Sequence, residues 1–170
     1  MLIEKQVDSF HFLDRTVKKM VQSWIKMEEP RPIPWTPLDK PLAQSTVALI
    51  SSAGLALKND QPFDQEGERQ NPWWGDPSFR MLPWDTTAED VNLYHLHIHP
   101  QVVAGDINTL FPLERLLDLE ERGEIGRSAA RHYSFMGYIL EPERLLTESV
   151  PQIIAHLEED EVDLVLLVPA

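Results

Sequence analysis

The chain's last nine residues, Val162-Asp163-Leu164-Val165-Leu166-Leu167-Val168-Pro169-Ala170, constrain its fold more than any other stretch. A near-continuous aliphatic run of this kind suits a parallel strand buried on both faces. Parallel strands need long crossover connections, usually helical, so the run points to the α/β class. In open α/β sheets ligands sit just beyond the carboxyl ends of the strands. The sequence stops at that point, where an active-site loop is expected to begin.

Other segments supply partners for this strand. Ser45 to Ser52, with Val47, Ala48, Leu49 and Ile50, reads as a short buried strand, and Ser128 to Met136 as another. Pro112 suits a first helical turn, Leu113, Leu116 and Leu117 form an apolar stripe, and Gly123 suits a left-handed cap. Ser149 is expected to cap a second helix carrying Val150, Ile153, Ile154 and Leu157. With a further strand over 91–99, the order predicts a mainly parallel sheet of about four strands with crossover helices, Rossmann-like in arrangement.

An amphipathic helix is expected over residues 9–27, where Phe10, Leu13, Val17, Met20, Val21 and Trp24 recur at helical spacing. Five prolines between Pro30 and Pro41 exclude a helix interior or central strand there. The chain therefore divides into an N-terminal helix (1–29), a proline-rich linker (30–44) and an α/β domain (45–170). Residues 57–86 lack periodicity but carry Phe63, Trp73, Trp74, Phe79 and Trp84, too many aromatics for a disordered segment. An ordered loop is expected, folded over a substrate, a partner subunit or the domain's own core.

The candidate site residues lie at predicted strand ends. The turn Ser51-Ser52-Ala53-Gly54 can cradle a carboxylate or phosphate with its backbone N–H groups, although one glycine without a G-x-G-x-x-G or Walker pattern also suits a plain tight turn. If 91–99 is a strand, His95, His97 and His99 share one face. Alternate residues on a strand stand about 7 Å apart, too far for three to hold one ion without bending it, so substrate contact is preferred to a metal site. Asp106 and Asn108 precede a helix, close after the histidines. They suit loop capping and pocket lining equally.

Composition narrows the function. A net charge of −13 disfavours nucleic acid or an anionic membrane as partner. Residues 139–163 hold eight acidic side chains and one basic, read as a solvated helix and turn in preference to an acidic docking surface. The absence of cysteine excludes disulfides, thiolate metal sites and a cysteine nucleophile within these residues. With no apolar run of membrane-spanning length and no signal-peptide pattern, a cytoplasmic location is expected.

Taken in order, several short motifs are more specific than their physics. They are Trp35-Thr36-Pro37-Leu38, Ser51-Ser52-Ala53-Gly54, Gly75-Asp76-Pro77-Ser78-Phe79-Arg80, His95-Leu96-His97-Ile98, Asp106-Ile107-Asn108, Phe111-Pro112-Leu113-Glu114-Arg115-Leu116, Gly123-Glu124-Ile125-Gly126 and Ser134-Phe135-Met136-Gly137-Tyr138. The set resembles the selenoprotein B family of glycine/sarcosine/betaine reductase and D-proline reductase, closest to the D-proline-reductase type of B subunit, over roughly residues 33–170. The segment around Gln65–Trp74 and the helix over 9–27 depart from the family pattern.

The resemblance implies a cytoplasmic subunit of an oligomeric reductase that cleaves a C–N bond reductively in an amino acid or its derivative, of the D-proline or glycine/betaine/sarcosine class. It implies a selenocysteine or cysteine directly after Ala170, with a UGA codon read as a stop. It also implies a pyruvoyl group on a partner subunit for the D-proline type. His97, Asp106, Asn108, Ser51, Gly54 and Ser134 are then the substrate-binding candidates, and no catalytic residue or metal site lies within the chain. The alternatives are a non-catalytic interaction or regulatory module and, behind it, a histidine metal-binding domain.

Overall fold

The computed structural model describes residues 13–27, 32, 36–71, 74–101 and 105–170. It divides into two units, Met1–Pro37 and Leu38–Ala170. In the first, helix α1 spans Arg15–Met27. Asp14 starts it by accepting the N–H groups of Thr16 (2.7 Å) and Val17 (3.1 Å), an N-cap that satisfies two otherwise free donors. Residues 9–12 of the expected helix lie outside the described residues, and Met20, Trp24 and Ile25 are exposed.

The second unit is organised on β1 (Thr46–Ser51), whose β-branched and aliphatic TVALIS sequence is almost wholly buried. On one side it pairs in parallel with β7 (Leu164–Val168), from Val47 opposite Leu164 to Ser51 opposite Val168. On the other it pairs in parallel first with β5 (Arg127–Ser128) and then with β6 (Arg131–Phe135). β3 (Phe79–Pro83) adds an antiparallel edge beyond β6. A separate ladder joins β2 (Leu55–Leu57) to β4 (Val91–Leu93). The short helix α2 (Gln65–Gln70) precedes β3, α3 (Leu113–Glu121) precedes β5, and α4 (Val150–Glu159) links β6 to β7. Phe111, Leu113 and Leu116 pack with Val47, Leu49, Leu55, Leu82 and Ile125 as the main core.

The mixed α/β class and the mostly parallel sheet agree with the sequence reading; three details differ. The strand predicted over 91–99 ends at Leu93, outside the main sheet, and His95–His99 form a turn. The cause is local: His95 Nδ1 accepts the N–H of His97 (3.2 Å), a bond that competes with strand pairing. Strand β7 is predicted to be covered on both faces, yet Leu164, Leu166 and Leu167 are exposed, Leu167 at 69%. Among the described residues β7 pairs only with β1 and is an edge. Ser149 does not cap α4. It ends a π-helical turn, Leu145–Ser149, that runs into α4, and its hydroxyl donates to Pro77 O (2.6 Å). Of the alternatives open for the aromatic segment 57–86, part of it takes the domain's own core. Phe63 is buried under the Arg80 guanidinium (4.1 Å), and Phe79 packs against Tyr133 (6.0 Å between ring centres).

The interval between β5 and β6 interrupts pairing with β1, and a side chain replaces the missing ladder bond. The buried His132 accepts the Leu49 N–H at Nδ1 (3.0 Å), while its Nε2 lies 3.1 Å from Ser128 Oγ. This pairing requires a neutral ring with its proton on Nε2. Burial accordingly holds the imidazole's pKa down at about 4, against a small opposing pull from Asp160.

The acidic segment is partly used internally. Asp160 binds Arg131 at two atoms (2.7 Å each), and Asp163 accepts the Thr46 N–H (2.8 Å) and pairs with Lys40 (2.6 Å). Among the described residues no helix is long and apolar enough to cross a membrane.

Candidate functional site

The carboxyl ends of β1, β6 and β7 meet through hydrogen bonds from backbone N–H groups. Ser52 N–H donates to Val168 O (3.1 Å), and Ala170 N–H donates to Ser52 Oγ (2.9 Å). Gly54 takes a left-handed φ of +64°, which glycine adopts without strain. Its N–H donates to Phe135 O and its carbonyl accepts the Tyr94 N–H, both at 2.9 Å. These bonds draw the histidine turn over the end of β1.

His95 is packed into that junction, 7% exposed, and burial together with neighbouring His97 lowers its pKa. Gly137 gives it room: a Cβ there would stand 2.6 Å from His95 Nε2 and 2.9 Å from Ser52 O. Gly137→Ala should displace His95 or the Ser52 turn and cost about 1–3 kcal/mol, read as a lower midpoint in urea unfolding. An unchanged midpoint would show that the junction yields freely.

His97 is exposed beside it, its ring centre 5.8 Å from that of His95 and 5.1 Å from that of Tyr138. His99 is also exposed and accepts a local bond from Gln101 N–H (3.3 Å). The three histidines thus part company: one packed, one at the strand ends, one turned to its own loop. Among the described residues no three His, Cys, Asp or Glu side chains are placed to hold a metal ion.

The Asp106–Asn108 loop is tied to the same end of β1, because Ser51 Oγ donates to Leu110 O (2.7 Å). Asp106 Oδ1 accepts from Asn108 N (2.9 Å) and Nδ2 (2.8 Å), and these bonds hold its pKa down. Asn108 Nδ2 also reaches Glu114 (2.8 Å), while its buried Oδ1 has no partner among the described residues. The Ser51 and Ser134 hydroxyls are wholly buried; Ser134 Oγ accepts the Leu55 N–H (2.8 Å). Their contribution to the site is to fix its backbone.

One group escapes the sequence reading. Glu68, on α2, is 4% exposed, and neither carboxyl oxygen has a hydrogen-bond partner among the described residues. Burial raises its pKa, opposed first by His97 and then by Arg69. In QEGERQ an acid reads as a solvated helix residue, and no spacing signal marks it. A concavity of about 750 Å³ bordered by Trp84, Glu120, Arg127 and Asp160 lies at the other end of the sheet, where Glu120 accepts the Ser128 N–H (2.7 Å).

In sequence the chain is similar to the D-proline reductase subunit gamma of Acetoanaerobium sticklandii, with 35% identity over 154 residues. The match covers 91% of this chain and 60% of that subunit, so the chain spans about three-fifths of the length of the relative it matches. No protein-family model matches the chain, and no solved structure does.

Proposed function

We propose that the chain is the N-terminal portion of a B-type subunit of an amino-acid reductase, in which a selenocysteine or cysteine following Ala170 attacks a substrate carbon and displaces its nitrogen. The observation that carries this reading is the 35% identity, over nearly the whole chain, to a D-proline reductase subunit. The fold supports it: strand carboxyl ends are where α/β proteins place their chemistry, and here three of them meet beside His97. A thiolate or selenolate suits the task because it is ionised and nucleophilic near neutral pH, unlike serine.

On this reading His97 and Asn108 line the pocket beside the nucleophile, with His97 facing the reacting nitrogen. Asp106 holds Asn108, and the Ser51, Gly54 and Ser134 contacts hold the loops that carry both. Partner subunits complete the site, and in a D-proline type one of them brings a pyruvoyl group to hold the substrate amine. The substrate is an amino acid or derivative of the D-proline or glycine/betaine/sarcosine class, and the location is cytoplasmic.

The test is the codon after Ala170 together with the intact mass and selenium content of the protein purified from its own host. A UGA or cysteine codon and a species heavier than 19.6 kDa that reduces one of these substrates with its partner subunits is the expected result. A 19.6 kDa selenium-free species without such activity would overturn the proposal in favour of an interaction or regulatory module.

A further inference from the structure

The parallel register with β1 sorts the side chains of β7 onto two faces. Leu164 and Leu166 lie beside Val47 and Leu49, on the face that α3 covers with Leu113 and Leu116, and Val168 packs against that core. Val165 and Leu167 lie beside Ala48 and Ile50, on the opposite face, where Tyr133 of β6 stacks on His156 of α4. On that face Leu167 is the most exposed of the leucines. Gln152 of α4 borders a concavity on the Phe79 and Arg80 side of the sheet. Ile154, about 200° further round the helix, looks the other way, towards β7, and is also exposed. Backbone polar groups alternate sides along a strand, and Val168 O accepts the Ser52 N–H, so the Val165 and Leu167 N–H groups turn away from β1. Among the described residues these two donors meet no strand.

A parallel strand with leucines on both faces suits an interior position, with a neighbour on each side and cover above and below. The topology says how that cover arrives. The chain passes from β1 to β5 in one direction with α3 on one face, and from β6 to β7 in the opposite direction with α4 on the other face. One hand of crossover serves both, as parallel units require. A further step outward from β7 repeats the second direction and therefore carries its helix on the α4 face. In the D-proline reductase subunit gamma roughly 100 residues lie outside the matched 60%, against the ~30 that one strand–helix–strand unit takes. We propose that β7 is covered by the segment of this polypeptide that follows Ala170: its first helix packs beside α4 on Leu167 and Ile154, and its next strand pairs in parallel with β7. This rests on the continuation past Ala170 in the reductase reading above. A second copy fits less well, because each chain carries a net charge of −13 and acids at 158–161 and 163 precede the edge.

The experiment is NMR on the complete polypeptide, without partner subunits, at a dilution where it is monomeric and with cysteine encoded at any UGA codon. The Val165 and Leu167 amides should exchange hydrogen about 10³-fold or more slowly than a free peptide, as donors in a stable strand pair do. The Leu167 and Ile154 methyl groups should show nuclear Overhauser contacts to the first helix after Ala170. Fast exchange at both amides overturns the proposal. So does protection that appears only on raising the concentration, which assigns β7 to a second copy, or only on adding the partner subunits, which assigns it to them. Contacts from that helix to Leu164 and Leu166 instead overturn the handed arrangement. A gene that codes for nothing beyond Ala170 overturns the proposal and the reductase reading together. With a continuation present the two separate, because no activity is read: a covered β7 can belong to a protein that reduces none of the substrates, and an uncovered one to a protein that does.

Discussion

Between pH 6.5 and pH 4 the fold should lose about 3 kcal/mol of unfolding free energy through His132 alone, a shift of roughly two and a half pKa units at about 1.4 kcal/mol each. The ring is neutral in the folded chain, with Nδ1 accepting the Leu49 N–H, while in the unfolded chain it titrates as an ordinary histidine. In this window the unfolded state binds the extra proton, so stability is full above pH 6.5 and falls as pH drops towards 4. Buried His95, whose pKa is also lowered, adds to the loss from the same upper limit. Asp160 and Asp163, with lowered pKa values, act only below the ordinary aspartate range, so the windows separate. Urea unfolding at several pH values measures the slope. His132→Asn, which keeps an acceptor near Nδ1 but cannot ionise, should flatten it. His132→Leu leaves the Leu49 N–H buried without a partner and should cost about 2 kcal/mol at pH 7. A slope unchanged in His132→Asn would refute the assignment.

If the proposed reductase reading holds, His97→Ala in the complete protein should lower turnover by about 10²- to 10⁴-fold, the range of a positioned acid–base group. The same substitution should move stability by no more than about 0.5 kcal/mol, because the side chain is exposed. The two numbers together are the test. A large fall in turnover with an unchanged melting temperature assigns His97 to chemistry. Unchanged kinetics would remove it from the site, and a matching loss of stability would make the effect structural.

Aliphatic runs revealed β1 and β7, the single strand expected over Ser128 to Met136 contains β6 and the end of β5, and the Pro112 to Gly123 punctuation revealed α3. These segments follow local rules that tertiary context does not reverse. β3 was hidden because Phe79–Pro83 sits among prolines and is only an antiparallel edge, where proline is tolerated. The histidine segment alternates like a strand, but a side-chain bond inside it closes a turn, and periodicity cannot foresee that bond. His97, Asp106 and Asn108 were legible as polar residues near strand ends. Glu68 was not, because its significance lies in burial without a partner, a property of the packed chain. The exposure of β7 was equally invisible: an aliphatic run states what a strand prefers, not what covers it.

That uncovered edge has a consequence for the protein in solution. Among the described residues, the backbone donors and acceptors of β7 that do not face β1 pair with no other strand and form a template for one, with Leu164, Leu166 and Leu167 beside it. Pro169 and the acids at 158–161 and 163 flank it as natural gatekeepers against filament growth. The surplus of negative charge adds a longer-range colloidal repulsion between copies. Salt shortens that range to about 10 Å at 0.1 M, so the chain is best handled in dilute, low-salt buffer.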